Sequence, residues 1–180
     1  MRATALLFAA TLSCFTALPS YATANDSITV GFTPAQAGEP SAEALVISAI
    51  AQAKHQILVV AYSFTSKPIA QALMGAKTRG VDVRVVADQK ANSGKYTAVT
   101  FLANNGVPVR LNGRFAITHD KSLTIDGSTV ETGSFNFTSA AAHKNSENAV
   151  VLRNVPELAG KYAQKFEMLW NGGQDLAPAY

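Results

Sequence analysis

His119-Asp120-Lys121-Ser122-Leu123-Thr124-Ile125-Asp126-Gly127-Ser128-Thr129-Val130-Glu131-Thr132-Gly133-Ser134-Phe135-Asn136 is the run on which the reading of this chain rests. If residues 119–125 are extended, alternate side chains share a face. His119, Lys121, Leu123 and Ile125 then lie together, the apolar pair in the core and the His and Lys at the open end, aimed at one space. Asp126 falls at an odd spacing from His119 and is expected to face elsewhere, in a structural role away from substrate. Asp126-Gly127-Ser128 predicts a tight turn, because Gly supplies the backbone freedom a hairpin needs. Thr129–Thr132 returns as a second strand and brings Gly133-Ser134-Phe135-Asn136 back to the level of His119. Gly133 is expected to let backbone approach a ligand closely. Ser134 and Asn136, two positions apart, are expected to aim at that ligand as neutral donors.

A His, a Lys, a hydroxyl and an amide converging on one point suit a phosphate. Lysine supplies a point charge to non-bridging oxygens. Ser and Asn add hydrogen bonds without burying further charge. An imidazole can attack phosphorus or carry a proton.

Length and composition place these residues in one globular domain. The chain has 180 residues, 48% of them apolar and 15% charged, which is enough for a core and excludes a disordered chain. Residues 1–24 are predicted to be a cleaved signal peptide: Arg2 is the positive n-region, Ala3–Ala17 the apolar stretch, and Ala22-Thr23-Ala24 the A-x-A site. The mature protein then starts at Asn25, a single domain over 25–180, periplasmic or secreted and without a stable membrane anchor. Cys14, the single cysteine, leaves with the leader, so no thiol chemistry remains. Loss of Arg2 lowers the net charge from +3 to +2, with 14 basic against 12 acidic residues. Any nucleic-acid binding must therefore come from local clustering.

Strands alternate with helices along the chain. Ser27–Phe32 predicts a strand. Ser41 caps a helix to about Lys54, which leaves His55 at its end. Gln56–Tyr62 predicts a buried strand, and Pro68 opens a helix closed by Gly80. Val81–Ala87 predicts a strand, Tyr96–Asn105 a helix and Val107–Leu111 a strand. Phe137–Lys144 reads as a small-residue loop that carries His143. Ser146–Leu152 predicts a strand. A last helix from Pro156 places Leu158, Tyr162, Phe166 and Leu169 at core spacing, and Gly172–Tyr180 is expected to be a mobile C-terminal tail. This alternation indicates an α/β fold, a mixed β-sheet sandwiched between helices.

His-x-Lys-x4-Asp-x6-Gly-Ser-x-Asn resembles the signature of the phospholipase D superfamily. More narrowly, the chain resembles the superfamily's small secreted bacterial endonucleases, which carry one copy of the motif. Ala61-Tyr62-Ser63-Phe64-Thr65-Ser66, the stretch ending Arg79-Gly80-Val81, and Ser146-Glu147-Asn148 follow family patterns in the same order. The resemblance implies the same layered fold. It also implies that two chains pair about a two-fold axis, so that His119 and Lys121 of each build one shared site in a homodimer. One His119 is then the nucleophile and the other the general acid. Glu147 stands where the family keeps an acidic residue that orients the histidine, while Asp126 and Gly133 belong to the signature as structural positions.

These expectations describe an endonuclease that hydrolyses DNA, and possibly RNA, through a phosphohistidine, with Lys121, Ser134 and Asn136 on the substrate phosphate. No metal and no cofactor is expected: the mature chain has no Cys, no His-x-His and no tight Asp/Glu cluster. Arg79, Arg84, Lys90, Lys95, Arg110, Arg114 and Lys144 are candidates for a basic rim, with Phe115, Phe135 and Phe137 as candidate lining. The rival readings are a phospholipase D-type enzyme acting on lipid head groups and a nucleic-acid-binding protein with a degenerate site. Within one chain, His143 is the competing general acid.

Overall fold

The computed structural model describes residues 28–95 and 97–179. The predicted leader and cleavage site, Cys14, Ser27 and Tyr96 lie outside the described residues. In chain order the elements are β1 (Ile28–Thr33), α1 (Ala42–Gln52), β2 (Gln56–Ala61), α2 (Lys67–Thr78), β3 (Asp82–Asp88), α3 (Ala98–Asn104) and β4 (Val109–Asn112). There follow β5 (Lys121–Ile125), β6 (Thr129–Gly133), α4 (Ser139–His143), β7 (Glu147–Leu152), α5 (Pro156–Asn171) and β8 (Gln174–Asp175).

The strands form one mixed sheet in the order β1-β7-β6-β5-β2-β3-β4-β8. β2, β3 and β4 run parallel, and every other neighbouring pair is antiparallel. β2 explains the layering. Ile57, Val59 and Ala61 enter the larger core with residues of α1, α2 and α3. Leu58 and Val60 enter the smaller core against Phe166 and Leu169 of α5. Both faces are covered, so the strand reads as an unbroken apolar run rather than an alternation. The sandwich expected from the order of elements is therefore present, with α5 alone on the second face.

Helix starts follow their caps. Ser41 accepts from the Ala44 amide, Ser66 from Ile69 and Thr97 from Thr100. Each satisfies one of the donors a helix leaves unpaired. Ser66 also donates to Glu43 at 2.8 Å, which ties α2 to α1.

Two segments and three side chains differ from expectation. Residues 139–143 form the short helix α4, because Thr138 caps it and Ala141 is fully buried. The C-terminal segment, expected to be mobile, pairs with the β4 edge. Arg110 binds Asp175 at 2.7 Å, and the Leu176 amide donates to the Val109 carbonyl at 2.9 Å. Three expected rim arginines are held by other partners. Arg79 donates to the Ile50 and Ala53 carbonyls, Arg84 pairs with Glu167 and Asp82, and Arg110 lies over the Trp170 ring.

The β5–β6 turn is anchored by Asp126, whose φ of 51° precedes Gly127 at 65°. Two successive left-handed residues make the turn whose twist suits a hairpin, and Asp-Gly is a preferred pair for it. The Asp126 carboxylate accepts from the amides of Lys54, His55 and Gln56 at 2.8–2.9 Å. It thereby fixes the hairpin tip to the start of β2, at the sheet end away from His119. Burial acts to raise this carboxyl's pKa, but the three amides outweigh it and the net shift is downward. A depressed folded pKa means that this contribution is full above the unfolded carboxyl pKa and is lost as pH falls through the folded one. Asp126→Ala is expected to cost about 2–3 kcal/mol at neutral pH, measured by denaturant unfolding, with a smaller difference from wild type in acid.

Glu131 lies at the centre of β6, opposite Leu123 and Val151. It is fully buried, and neither carboxylate oxygen has a hydrogen-bond partner. Burial pushes its pKa up to about 8. The folded protein therefore holds a proton that the unfolded chain releases near its ordinary value of 4.5. Stability from this group is full below that value and declines toward pH 8, at up to about 1.4 kcal/mol per pH unit. Glu131→Gln is expected to flatten the pH dependence of unfolding between pH 5 and 8. Equal slopes for wild type and variant would refute a protonated buried Glu131.

Candidate active site

The hairpin's register puts its chemistry at one end of the sheet. Lys121 pairs with Ala61 at the C-terminal end of β2, and Ser122 pairs with Thr132 near the end of β6. β3 ends in Asp88 beside Ala61, and β7 starts with Glu147. In open α/β sheets ligands sit outside the carboxyl ends of the parallel strands. There His119, Asp120, Lys121, Ser122, Thr132, Gly133, Ser134 and Tyr162 line a cleft of about 320 Å³.

Lys121 and His119 differ in setting. Lys121 is buried, and its ammonium donates to the His119 carbonyl at 2.7 Å. Burial lowers its pKa below the ordinary lysine value, and the Glu147 and Asp120 carboxylates partly counter this. His119 is exposed and precedes β5, in irregular backbone rather than in the expected strand. Leu123 and Ile125 do anchor the strand in the core, as the alternation predicts. The His119 ring meets Tyr62 edgewise, with centroids 4.7 Å apart, and the Lys121 ammonium stands 5.3 Å from the Tyr62 centroid.

The remaining signature residues divide. Ser134 is exposed and lines the cleft; it donates to Glu147 Oε2 at 2.5 Å and accepts from the Asn148 amide at 3.0 Å. The amides of Ser134 and Phe135 both donate to the Asn148 carbonyl. Two donors on one carbonyl mark a bulge, which breaks the side-chain alternation. As a result Asn136 does not join Ser134 in lining the cleft, and its amide oxygen is buried without a partner. Gly133 lines the cleft and is also required by close approach of β7: a Cβ there would collide with the Asn148 carbonyl oxygen.

Glu147, expected to orient His119, makes its hydrogen bonds elsewhere in this chain. Its oxygens accept from Ser134 and from Asn145 Nδ2 (2.8 Å), so its reach into the cleft is through Ser134 and its charge on Lys121. Asp126 is held at the opposite sheet end, away from the cleft, by the amides of Lys54, His55 and Gln56. His143 is exposed at the end of α4 and does not line the cleft. Phe135 and Phe137 are fully buried, whereas Phe115 and Ile117 are exposed in the segment leading to His119. Among the described residues, no three His, Cys, Asp or Glu side chains gather as a metal-ligand set.

Several cleft features have little signal in the linear chain. Helical spacing places Tyr162 in the core, but α5 carries it to the cleft wall. Asp120 reaches toward α5 through Lys165 at 3.9 Å. Asp88, the last residue of β3, and Asn92, in the loop that follows, are polar yet buried. Asp88 accepts from the Thr118 amide at 2.7 Å, and Asn92 donates to the Tyr62 carbonyl at 2.6 Å. Their only sequence signal is a pair of polar residues four apart, one closing an apolar strand and one in the loop after it.

Comparison with known proteins agrees with this geometry. The family model described as cardiolipin synthase, PLD-like domain, matches residues 46–170. The chain is similar to a phospholipase D from Rickettsia conorii, 34% identical over 121 residues, covering 67% of this chain and 60% of that protein. It thus spans about three fifths of the length of such curated relatives. The crystal structure of Nuc from Salmonella typhimurium, a phospholipase D family member, superposes with a TM-score of 0.79 at 48% identity, covering 84% of this chain and 98% of that one. NucT from Helicobacter pylori shares the fold, with a TM-score of 0.69 at 21% identity over 83% of this chain and all of that one. Its mixed-sheet fold, its single His-x-Lys cleft and these matches together place the chain in the phospholipase D superfamily of phosphodiesterases.

Proposed function

We propose that this chain is an exported, metal-independent endonuclease that hydrolyses DNA, and RNA where it is accessible, through a phosphohistidine in a site shared by two subunits. The observation that carries the reading is an exposed His119 beside the buried Lys121 ammonium in an open polar cleft, one such set per chain. Similarity to Nuc over nearly that protein's whole length supports a nuclease and a single-motif architecture. Export rests on the predicted leader.

In this mechanism His119 attacks phosphorus. The P–N bond forms as the bond to the leaving oxygen breaks, and His119 of the partner subunit protonates that oxygen. The partner imidazole, now neutral, takes a proton from water, whose oxygen attacks phosphorus and breaks the P–N bond. The Lys121 ammoniums balance charge on the non-bridging oxygens. Ser134 turns its hydroxyl from Glu147 to a phosphate oxygen, which frees a Glu147 oxygen to accept from the His119 ring and hold its tautomer. Binding through the backbone makes cleavage insensitive to sequence.

A second reading, hydrolysis of lipid head groups, is favoured by Phe115 and Ile117, exposed in the segment leading to His119, and by relatives named phospholipase D and mitochondrial cardiolipin hydrolase. A binding protein without turnover is a third.

Nicking of supercoiled plasmid in excess EDTA decides among them. Mature protein is expected to cut, and His119→Ala to lose at least about 10³-fold in rate while remaining folded. Activity is expected to follow the dimer fraction in sedimentation; a fully active monomer refutes the shared site. Loss of cutting in EDTA refutes the phosphohistidine route, and cleavage of phosphatidylcholine or cardiolipin vesicles without nicking supports the lipid reading.

The rate is expected to be bell-shaped in pH, since one imidazole must be neutral while its mate is protonated. Burial holds the Lys121 pKa below the ordinary lysine value, so its charge is lost earlier on the alkaline side than that of a hydrated lysine. A profile with only one limb counts against the paired histidines.

A further inference from the structure

Tyr62 follows directly on β2, and the proposed mechanism gives it no task. Its half-buried ring nevertheless touches both groups on which that mechanism depends. The His119 ring packs edgewise against it, with centroids 4.7 Å apart and planes at 64°. The Lys121 ammonium lies 5.3 Å from the same centroid. An aromatic face attracts a cation and a ring edge. His119 is exposed and stands in irregular backbone, so this contact limits how its ring can turn.

The backbone that carries Tyr62 is itself braced. Asn92, 2% exposed, donates to the Tyr62 carbonyl at 2.6 Å and to the Asp88 carbonyl at 2.9 Å, and accepts from the Phe64 amide at 3.0 Å. Asp88, also 2% exposed, accepts from the Ala91 and Thr118 amides at 2.8 and 2.7 Å. One buried pair therefore holds the segment that presents Tyr62 and the residue just before His119. A surface aromatic present by chance has no reason to be fixed from beneath to the same point as the histidine it touches.

We propose that Tyr62 is a positioning residue: its ring sets the orientation of the His119 imidazole and the place of the Lys121 ammonium, and the Asp88–Asn92 brace holds the ring in register with both. This rests on the reading of His119 and Lys121 as the reacting pair. The ring, not the hydroxyl, carries the effect.

The test compares full-length mature wild type with Tyr62→Phe and Tyr62→Leu, using Tyr62→Met where the Leu variant lacks a cooperative thermal transition. Hydrolysis of bis(p-nitrophenyl) phosphate gives kcat and KM, and NMR follows the carbon-bound protons of the His119 ring, assigned with His119→Ala. Tyr62→Phe is expected to keep kcat within about twofold. Removal of the ring is expected to lower kcat about tenfold to a hundredfold with KM little changed, since misaligned reacting groups cost rates of this order. The His119 ring protons are expected to lose their ring-current displacement in the Leu or Met variant and to keep it in the Phe variant. Wild-type kcat without the ring overturns the proposal, as does an unchanged His119 spectrum. A Phe variant as slow as the Leu variant overturns it in favour of the hydroxyl. The NMR comparison needs no substrate, so it decides the Tyr62–His119 contact even if the plasmid assay refutes the nuclease reading, while the kcat change decides the positioning.

Discussion

Ala61 pairs with Lys121 and Ile57 with Ile125 across the antiparallel β2–β5 ladder. That register ties a strand of the parallel half of the sheet to the hairpin bearing the signature. Side chains alternate with a period of two, so a slip of one residue would exchange Lys121 for Ser122 and move Leu123 off the larger core. The Asp126 carboxylate guards against such a slip. By accepting three amides where α1 gives way to β2, it fixes the hairpin's far end. A residue at the opposite end of the sheet from the cleft thus determines which side chain enters it.

Charge is distributed unequally in this protein. Much of its basic surface serves the fold: Arg84 and Arg110 lie against α5 and its aromatic rings, and Arg79 binds carbonyls at the end of α1. At the cleft, one buried ammonium is set among the Glu147 and Asp120 carboxylates and the Tyr62 ring. Desolvation makes such a charge available to a phosphate in a way a hydrated surface lysine is not. A low net charge is compatible with phosphodiester chemistry because the charge that matters is local.

The strand order also explains the open cleft. β5 and β6 run antiparallel to their neighbours, so the start of β5, the end of β6 and the start of β7 meet beyond the ends of β2 and β3. Loops after β2 and β6 are joined there: the amides of Thr65 and Ser66 both donate to the Phe137 carbonyl at 2.8 Å. Helix α5 closes one side with Tyr162 and leaves His119 exposed.

Much of this was legible in the linear chain because it follows from local rules. The unbroken apolar run of β2, the Ser41 cap, the Asp126-Gly127 turn and the alternation through Leu123 and Ile125 are set by backbone sterics and burial, which neighbouring residues report. His119, Lys121 and Ser134 do line one cleft, although His119 reaches it from irregular backbone before β5 and not by strand alternation. Other features depended on what the rest of the chain brings near. Gly133 answers to the Asn148 carbonyl, and the β6 bulge separates Asn136 from Ser134. Glu147 faces Ser134, Tyr162 turns toward the cleft, and Asp88 and Asn92 are buried against the Thr118 amide and the Tyr62 carbonyl. A period read along one strand cannot include a bulge imposed by its neighbour. A polar side chain's partner is the nearest group in space, and the sheet's cross-strand pairing, not sequence distance, decides which group that is.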